Sequence, residues 1–235
     1  MPPAPFDAGH VLRGLNLFRE APEPTLARMA ASAQRIHLAR GDELFHSGDV
    51  SEGLYVVIKG QIKVYARADN GQEKVIEVVS APASLGGSLL LADVTGQGSS
   101  VMRHVSHAAA LTEAQLLLLP RTQLLVELQA EPKLAVKLLA DVSGRLNRLV
   151  RDIEAVTLHS AAQRVVSYLL RTSPQAATSA CTVSLPASKG TIASLLSVTP
   201  EHFSRILHDL QSRGLIAVNR REIVIPDVER LAGCV

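Results

Sequence analysis

KGTIASLLSVTPEHFSRILHDL, residues 189–210, predicts two short helices joined by a tight turn. A helix starting at Lys189 buries Ile192, Leu195 and Leu196, three or four residues apart on one face. Ser197-Val198-Thr199 then interrupts the pattern. Thr199 is a good N-cap, because its hydroxyl accepts from a free amide of the next helix. Pro200 suits the first helical position, where no amide is needed. The second helix buries Phe203, Ile206, Leu207 and Leu210 and leaves Glu201, Ser204, Arg205 and His208 on its other face. Downstream, GLIAV and EIVI flank Asn219-Arg220-Arg221, which predicts a β-hairpin with two arginines at its tip.

Two helices joined by a tight turn, with a polar face on the second, form a helix-turn-helix, and the following hairpin is a wing. Glu201, Ser204 and Arg205 stand at i, i+3 and i+4 and project together near the end of the helix that enters a major groove. There an arginine can contact guanine with two hydrogen bonds, a glutamate can accept from a cytosine amino group, and a serine can serve either edge. Thr199, His208 and Lys189 flank that face and join the candidate contact set, with Arg220 and Arg221 on the wing. The alternative is an exposed helix face on which Glu201 and Arg205 merely pair, but that leaves the cap, the turn and the basic wing unexplained.

Charge supports the same placement. From residue 160 onward there are eight basic and five acidic side chains, whereas the preceding residues are slightly acidic in balance. A C-terminal third of positive sign is able to meet a polyanion although the whole chain carries only +2.

Upstream of the first helix the texture differs. Residues 10–35 have Leu15, Leu17, Phe18, Leu26 and Met29 at roughly helical spacing, and a helix is expected there. From Ile36 to Leu119 the chain predicts short strands broken by glycines, with a hairpin at Asn70-Gly71, where both residues tolerate positive φ. Such a run of strands suggests a small antiparallel barrel or sandwich. A long helix is expected over 132–158. Its Ala135, Leu139, Val142, Leu146, Leu149, Ile153 and Val156 alternate steps of four and three, the seam of two helices packed along their length. Leu139, Val142, Leu146, Leu149, Ile153 and Val156 are therefore the predicted interface of a homodimer. The simpler reading is a broad core-facing stripe, since Leu134, Leu138 and Val150 widen the apolar face. Residues 161–171 predict a shorter helix, Ser173–Ala180 a small-residue linker, and CTVSLP a short strand.

The bulk numbers fit two small domains. The chain has 235 residues, 47% hydrophobic and 20% charged, as in a globular protein. No apolar run approaches the ~18 to 20 residues of a membrane span, and MPPAPFDAGH lacks the pattern of a signal peptide, so a cytoplasmic, membrane-free protein is expected. Cys181 and Cys234 are too few for a four-thiolate site within one chain. No phosphate loop, metal-spaced cluster or nucleophile elbow occurs, and no enzymatic activity is expected.

Taken together, these segments resemble the family of the cyclic AMP receptor protein and the fumarate–nitrate reduction regulator. GDELFHSGD, LYVVIKGQIKVY and NGQEKVIEVV resemble its cyclic-nucleotide-binding-like β-roll, with Gly48, Gly60 and Gly71 at turns. RVVSYLL resembles the start of its DNA-binding domain, and Glu201 to Arg205 its Glu-x-x-Ser-Arg signature, although Ser197 stands where many members place glycine. The resemblance implies an α+β fold: a sensor β-roll over residues 1–130, a dimerisation helix over 131–158, and a winged helix-turn-helix over 159–235. It further implies a transcription activator that reads a TTGAT-type palindrome as a homodimer and works with RNA polymerase.

Departures from the family concern the effector. Members that bind cyclic nucleotides need a glutamate for the ribose and an Arg-Ser pair for the phosphate, and alignment puts Gly87, His104 and Val105 there. The helix hydroxyls that would read adenine fall at Leu149 and Val150. The family's iron–sulfur cysteine cluster is missing, as is the Cys/His pair of its carbon monoxide sensor. NGQEKVIEV, RVVSYLL and PEHFSRILH are closest to the dissimilatory nitrate respiration regulator branch, which implies nitric oxide sensing through haem. The glycine-rich SLGGSLLL would suit a flat apolar cofactor, and Gly86, Gly87, Ser88, His104, His107, Leu149 and Val150 form the expected effector pocket. Other histidines, such as His10, His37, His46 and His159, keep the choice of haem ligand open. The rival reading is a cyclic-nucleotide-binding regulatory protein without base-specific DNA recognition.

Overall fold

The computed structural model describes residues 7–90, 102–173 and 180–234. The linker expected at Ser173–Ala180 therefore falls largely outside the described residues, as do residues 1–6 and the end of SLGGSLLL. The chain divides into two compact units, one of residues 1–66 and 78–147, the other of residues 67–77 and 148–235.

The first unit begins with α1 (Ala8–Gly14) and α2 (Glu23–Ser32), followed by β1 (Gln34–Leu38), β2 (Glu43–Phe45), β3 (Gly53–Lys59) and β4 (Gln61–Arg67). Next come β5 (Glu73–Ser80), β6 (Ala83–Leu85), the single turn α3 (Gly87–Leu90), β7 (His107–Ala110) and β8 (Ala114–Pro120). Helices α4 (Arg121–Ala130) and α5 (Pro132–Leu158) follow, and α5 runs on into the second unit. The strands form two four-stranded sheets, ordered β1-β8-β3-β6 and β2-β7-β4-β5.

Why β3 and β8 are continuous apolar runs follows from their place between two layers. Side chains alternate across a strand, and a strand covered on both faces needs apolar residues at every position. Leu54 and Val56 of β3, with Leu117 and Leu119 of β8, pack against Leu26, Met29, Leu124, Leu134 and Leu138 from the helices and Phe18 from the turn between α1 and α2. Their neighbours Tyr55, Val57, Leu116 and Leu118 face the other way, onto Phe45, Ile62, Val79 and Ala108. Gly60 turns β3 into β4 with φ +84°, and a Cβ there would collide with the Glu113 carbonyl.

One expectation is corrected in detail, and the hairpin expected at 70–71 is present between β4 and β5. The single helix expected over 10–35 is two, because the chain turns between Gly14 and Pro22 and sends Leu15, Leu17 and Phe18 into the core from that turn. At the 70–71 hairpin only Gly71 takes positive φ, while Asn70 caps the turn by accepting from the Gln72 amide through its side chain.

An ion pair ties α2 to α4. The Glu127 side chain has no exposure, and it accepts from Arg28 Nε at 2.8 Å and Nη2 at 2.7 Å. Gln123 Nε2 donates to it at 2.8 Å. The Arg28 hydrogen bonds hold the Glu127 carboxyl below the usual carboxylate range.

In the second unit, α6 (Ala161–Thr172) opens with a capping box, Ser160 and Gln163 each satisfying the other's backbone amide. Then come β9 (Cys181–Ser184), α7 (Lys189–Leu195), α8 (Pro200–Ser212), β10 (Ala217–Asn219), β11 (Glu222–Ile225) and α9 (Val228–Ala232). Strands are ordered β10-β11-β9, all antiparallel. The buried side chains include Val165, Leu169, Ile192, Phe203, Leu207, Ile223 and Leu231, at least one from nearly every element.

Candidate nucleic-acid interface and effector region

Helices α7 and α8 pack through Ile192, Ala193, Leu196, Phe203, Ile206 and Leu207. Thr199 is the N-cap of α8, its hydroxyl accepting from the His202 amide at 3.2 Å, and Pro200 follows at the first helical position. Ser197 adopts φ +55° in the turn, a left-handed conformation that glycine takes without strain and serine does not. With one face of α8 buried, Glu201, Ser204, Arg205 and His208 are left exposed together, and Glu201 lies in the first turn, where the helix dipole favours a negative charge. Among the described residues no ion pair joins Glu201 to Arg205, so both heads are available to a ligand. Lys189 is half-buried at the start of α7.

The wing is built as expected. Asn219 pairs with Glu222, leaving Arg220 and Arg221 as a two-residue loop, exposed, with Arg220 at φ +54°. Gln211 ties it to α8 by accepting from the Val218 amide at 3.0 Å. Arg164 of α6 was only one of the counted basic residues in the sequence, yet its guanidinium reaches the helix-turn-helix turn. Nε donates to the Leu196 carbonyl at 2.9 Å, Nη2 to Ser197 at 3.1 Å, and Nη1 to His159 at 2.8 Å.

In the first unit, His104 is only 4% exposed. Its ring stacks on Phe45 at 3.6 Å and approaches Tyr55 at 6.4 Å, and its Nε2 has no hydrogen-bond partner among the described residues. Burial pushes its pKa below the ordinary histidine value, so the ring is neutral at neutral pH. Val105 beside it is 86% exposed. His107 stacks instead on Tyr65 at 5.2 Å, with His46 edge-on at 5.9 Å. Gly86 turns with φ +88°, Gly87 is buried, with Leu54 and Leu138 lining the space its missing side chain leaves, and Ser88 is exposed. Leu149 and Val150 belong to the second unit and are exposed on α5. His104 and His107 thus occupy different aromatic contacts within the first unit.

Helix α5 spans Pro132–Leu158, as the spacing predicts. Its first turns serve their own unit: Leu134 and Leu138 are core residues, and Ala135 and Val142 pack half-buried against them. Beyond these, Leu139, Leu146, Leu149, Ile153 and Val156 are exposed. No helix among the described residues is long and apolar enough to cross a membrane.

A β-roll of the cyclic-nucleotide-binding type carried with a winged helix-turn-helix defines a DNA-binding transcription regulator with an effector-binding domain, not an enzyme. The family described as the cyclic nucleotide-binding domain matches residues 35–131, and that described as the Crp-like helix-turn-helix domain matches residues 163–234. The chain belongs to the family of the cyclic AMP receptor protein and the fumarate and nitrate reduction regulator. The CRP-like cAMP-activated global transcriptional regulator of Mycobacterium tuberculosis is 25% identical over 225 residues, 94% of this chain and 97% of its own. The fumarate and nitrate reduction regulatory protein of Salmonella typhi is 27% identical over 199 residues, 83% of this chain and 76% of its own. The structure of FixK2 from Bradyrhizobium japonicum shares the fold, with a TM-score of 0.72 at 22% identity over 86% of this chain and 96% of that one.

Proposed function

We propose that this regulator acts as a homodimer that reads a TTGAT-type palindrome, with residues 1–130 sensing, 131–158 pairing two copies and 159–235 binding DNA. The observation that carries the reading is the exposed face of α8, where Glu201, Ser204 and Arg205 stand without an ion pair between them over a fully buried opposite face. Glu201 and Arg205 read base edges; Thr199, His208 and Lys189 border the groove; Arg220 and Arg221 hold phosphates. Leu139, Leu146, Leu149, Ile153 and Val156, an apolar row exposed in the single chain, supply the dimer seam. RNA polymerase is the partner at an activated promoter.

For the effector, the buried and neutral His104 argues against a cyclic nucleotide held in the usual way, since it stands at the position of the phosphate arginine of the family's cyclic-nucleotide members. A neutral imidazole with an unpartnered buried Nε2 is instead the form that ligates a metal, which fits haem as the group through which nitric oxide or redox state is sensed. Bound haem would supply the gas-binding iron; His104 would hold it.

Fluorescence anisotropy on a labelled TTGAT palindrome and a scrambled duplex tests the DNA reading. Preference for the palindrome by about a thousandfold or more is expected of a specific regulator. Equal affinity for both duplexes would leave the cyclic-nucleotide-binding regulatory protein as the better reading.

A further inference from the structure

Four successive carbonyls at the end of α7 and in the turn that follows it, those of Ser194, Leu195, Leu196 and Ser197, are each held by a cation. Arg164 takes Leu196 at 2.9 Å and Ser197 at 3.1 Å. Lys74, in the segment 67–77 that belongs to the second unit, donates through Nζ to Ser194 and, at 2.9 Å, to Leu195. The Ser194 hydroxyl completes the contact, accepting from the Val75 amide at 2.9 Å and donating to the Glu73 carbonyl at 3.2 Å. The last carbonyls of a helix have no partner within it, so such donors decide how the chain leaves α7. The chain leaves it through Ser197, whose positive φ an L side chain resists.

We infer that Arg164 and Lys74 are positioning residues for DNA reading: by pinning the carbonyls of residues 194–197 they hold Ser197 in its left-handed turn and so fix the direction in which α8 presents Glu201 and Arg205. Arg164 does this with a planar fork that meets two carbonyls at once, which a lysine cannot reproduce. Three of its nitrogens are occupied by carbonyls of its own chain, so its role is internal to the domain and not that of a phosphate contact. Segment 67–77, which runs from the end of β4 into β5, thereby belongs to the DNA-reading apparatus.

This inference rests on the proposed base-reading role of α8, and the experiment separates the two. Affinity for the palindrome and for a scrambled duplex is measured at several salt concentrations for the wild type, Arg164→Lys, Lys74→Gln and Arg164→Lys/Ser197→Gly. If the wild type fails to distinguish the duplexes, the base-reading proposal itself is wrong. If it does distinguish them, Arg164→Lys is expected to lose on the order of tenfold in preference, as for a lost pair of charged hydrogen bonds, with an unchanged salt slope. Lys74→Gln should lose less, in the same direction. Glycine at 197 takes the turn conformation unaided, so the double variant should recover most of the preference. Because glycine at positive φ also relieves strain in the fold, a merely destabilised domain is recognised instead by an equal loss on both duplexes. An unchanged preference in Arg164→Lys, an equal loss on both duplexes, or no recovery in the double variant would overturn the inference. Should Arg164→Lys fail to fold by circular dichroism, Lys74→Gln and Ser197→Gly decide: Lys74→Gln must lower the preference, and Ser197→Gly must leave it intact.

Discussion

His104 lies flat against Phe45, with ring centroids 3.6 Å apart and planes within 7° of parallel. The contact is made by a neutral ring, because burial lowers the pKa of His104 and the nearby Asp49 carboxylate only partly offsets this. In the unfolded chain the same ring titrates near the ordinary 6.5. Below that pH the unfolded state takes up a proton that the folded state refuses. The stability linked to His104 is therefore intact above 6.5 and is lost as pH falls from there towards the folded value. Urea unfolding should show wild-type stability falling with pH over this window, by at most about 1.4 kcal/mol per pH unit from one group. His104→Leu should show a smaller slope; an equal slope would mean that the ring is charged in the fold.

Arg28 and Glu127 are coupled in stability. Arg28→Met leaves a buried carboxylate without its cation and should cost roughly 1–3 kcal/mol in chemical denaturation. The larger losses seen for fully buried pairs are not expected, because Arg28 is half exposed and solvent screens its share. Adding Glu127→Met should restore much of the loss, since an apolar pair of similar size needs no charge partner. A double variant as weak as the sum of the two singles would show that the residues are not coupled.

The proposed pairing rests on the exposed half of α5. Leu149→Glu with Ile153→Glu places like charges in the seam and should give monomers in sedimentation experiments, with operator affinity greatly reduced. A wild type that sediments as a monomer at micromolar concentration with full DNA affinity would remove the case for pairing through this helix.

Arg205 and Arg221 should fail in different ways. Arg205→Ala is expected to cost roughly 1–3 kcal/mol on a TTGAT-type palindrome and far less on a scrambled duplex. Arg221→Ala should weaken both duplexes about equally and flatten the salt dependence by about one unit of slope. Titrations at several ionic strengths distinguish the patterns; equal losses on both duplexes for Arg205→Ala would refute its base-reading role.

What could be read from the sequence is what local spacing encodes. Thr199-Pro200 marks the start of α8, and short strands broken by glycines from Ile36 to Leu119 announce the antiparallel roll. Leu15, Leu17 and Phe18 misled because a turn that dips into a core repeats apolar residues at nearly the spacing of a helix. Arg28 and Glu127 were invisible as partners because they are 99 residues apart and only the packing of α2 on α4 joins them. Leu134 and Leu138, whose widening of the stripe on α5 offered a core-facing alternative, do belong to their own unit's core. Arg164 gave no signal, since a cation that bonds to backbone carbonyls needs no particular residue at the other end.

The division of labour along α5 has a consequence for how this regulator responds to its own abundance. Because Leu134 and Leu138 are already enclosed by their own chain, the roll does not need a second copy in order to fold. Separation of a pair would expose only the later stretch from Leu139 to Val156 and would leave two intact sensors. If the regulator pairs through α5 as proposed, then while pairs are scarce the number available to the proposed palindrome rises with the square of the chain concentration. On that reading, modest changes in synthesis or turnover would be amplified at the operator before any effector acts.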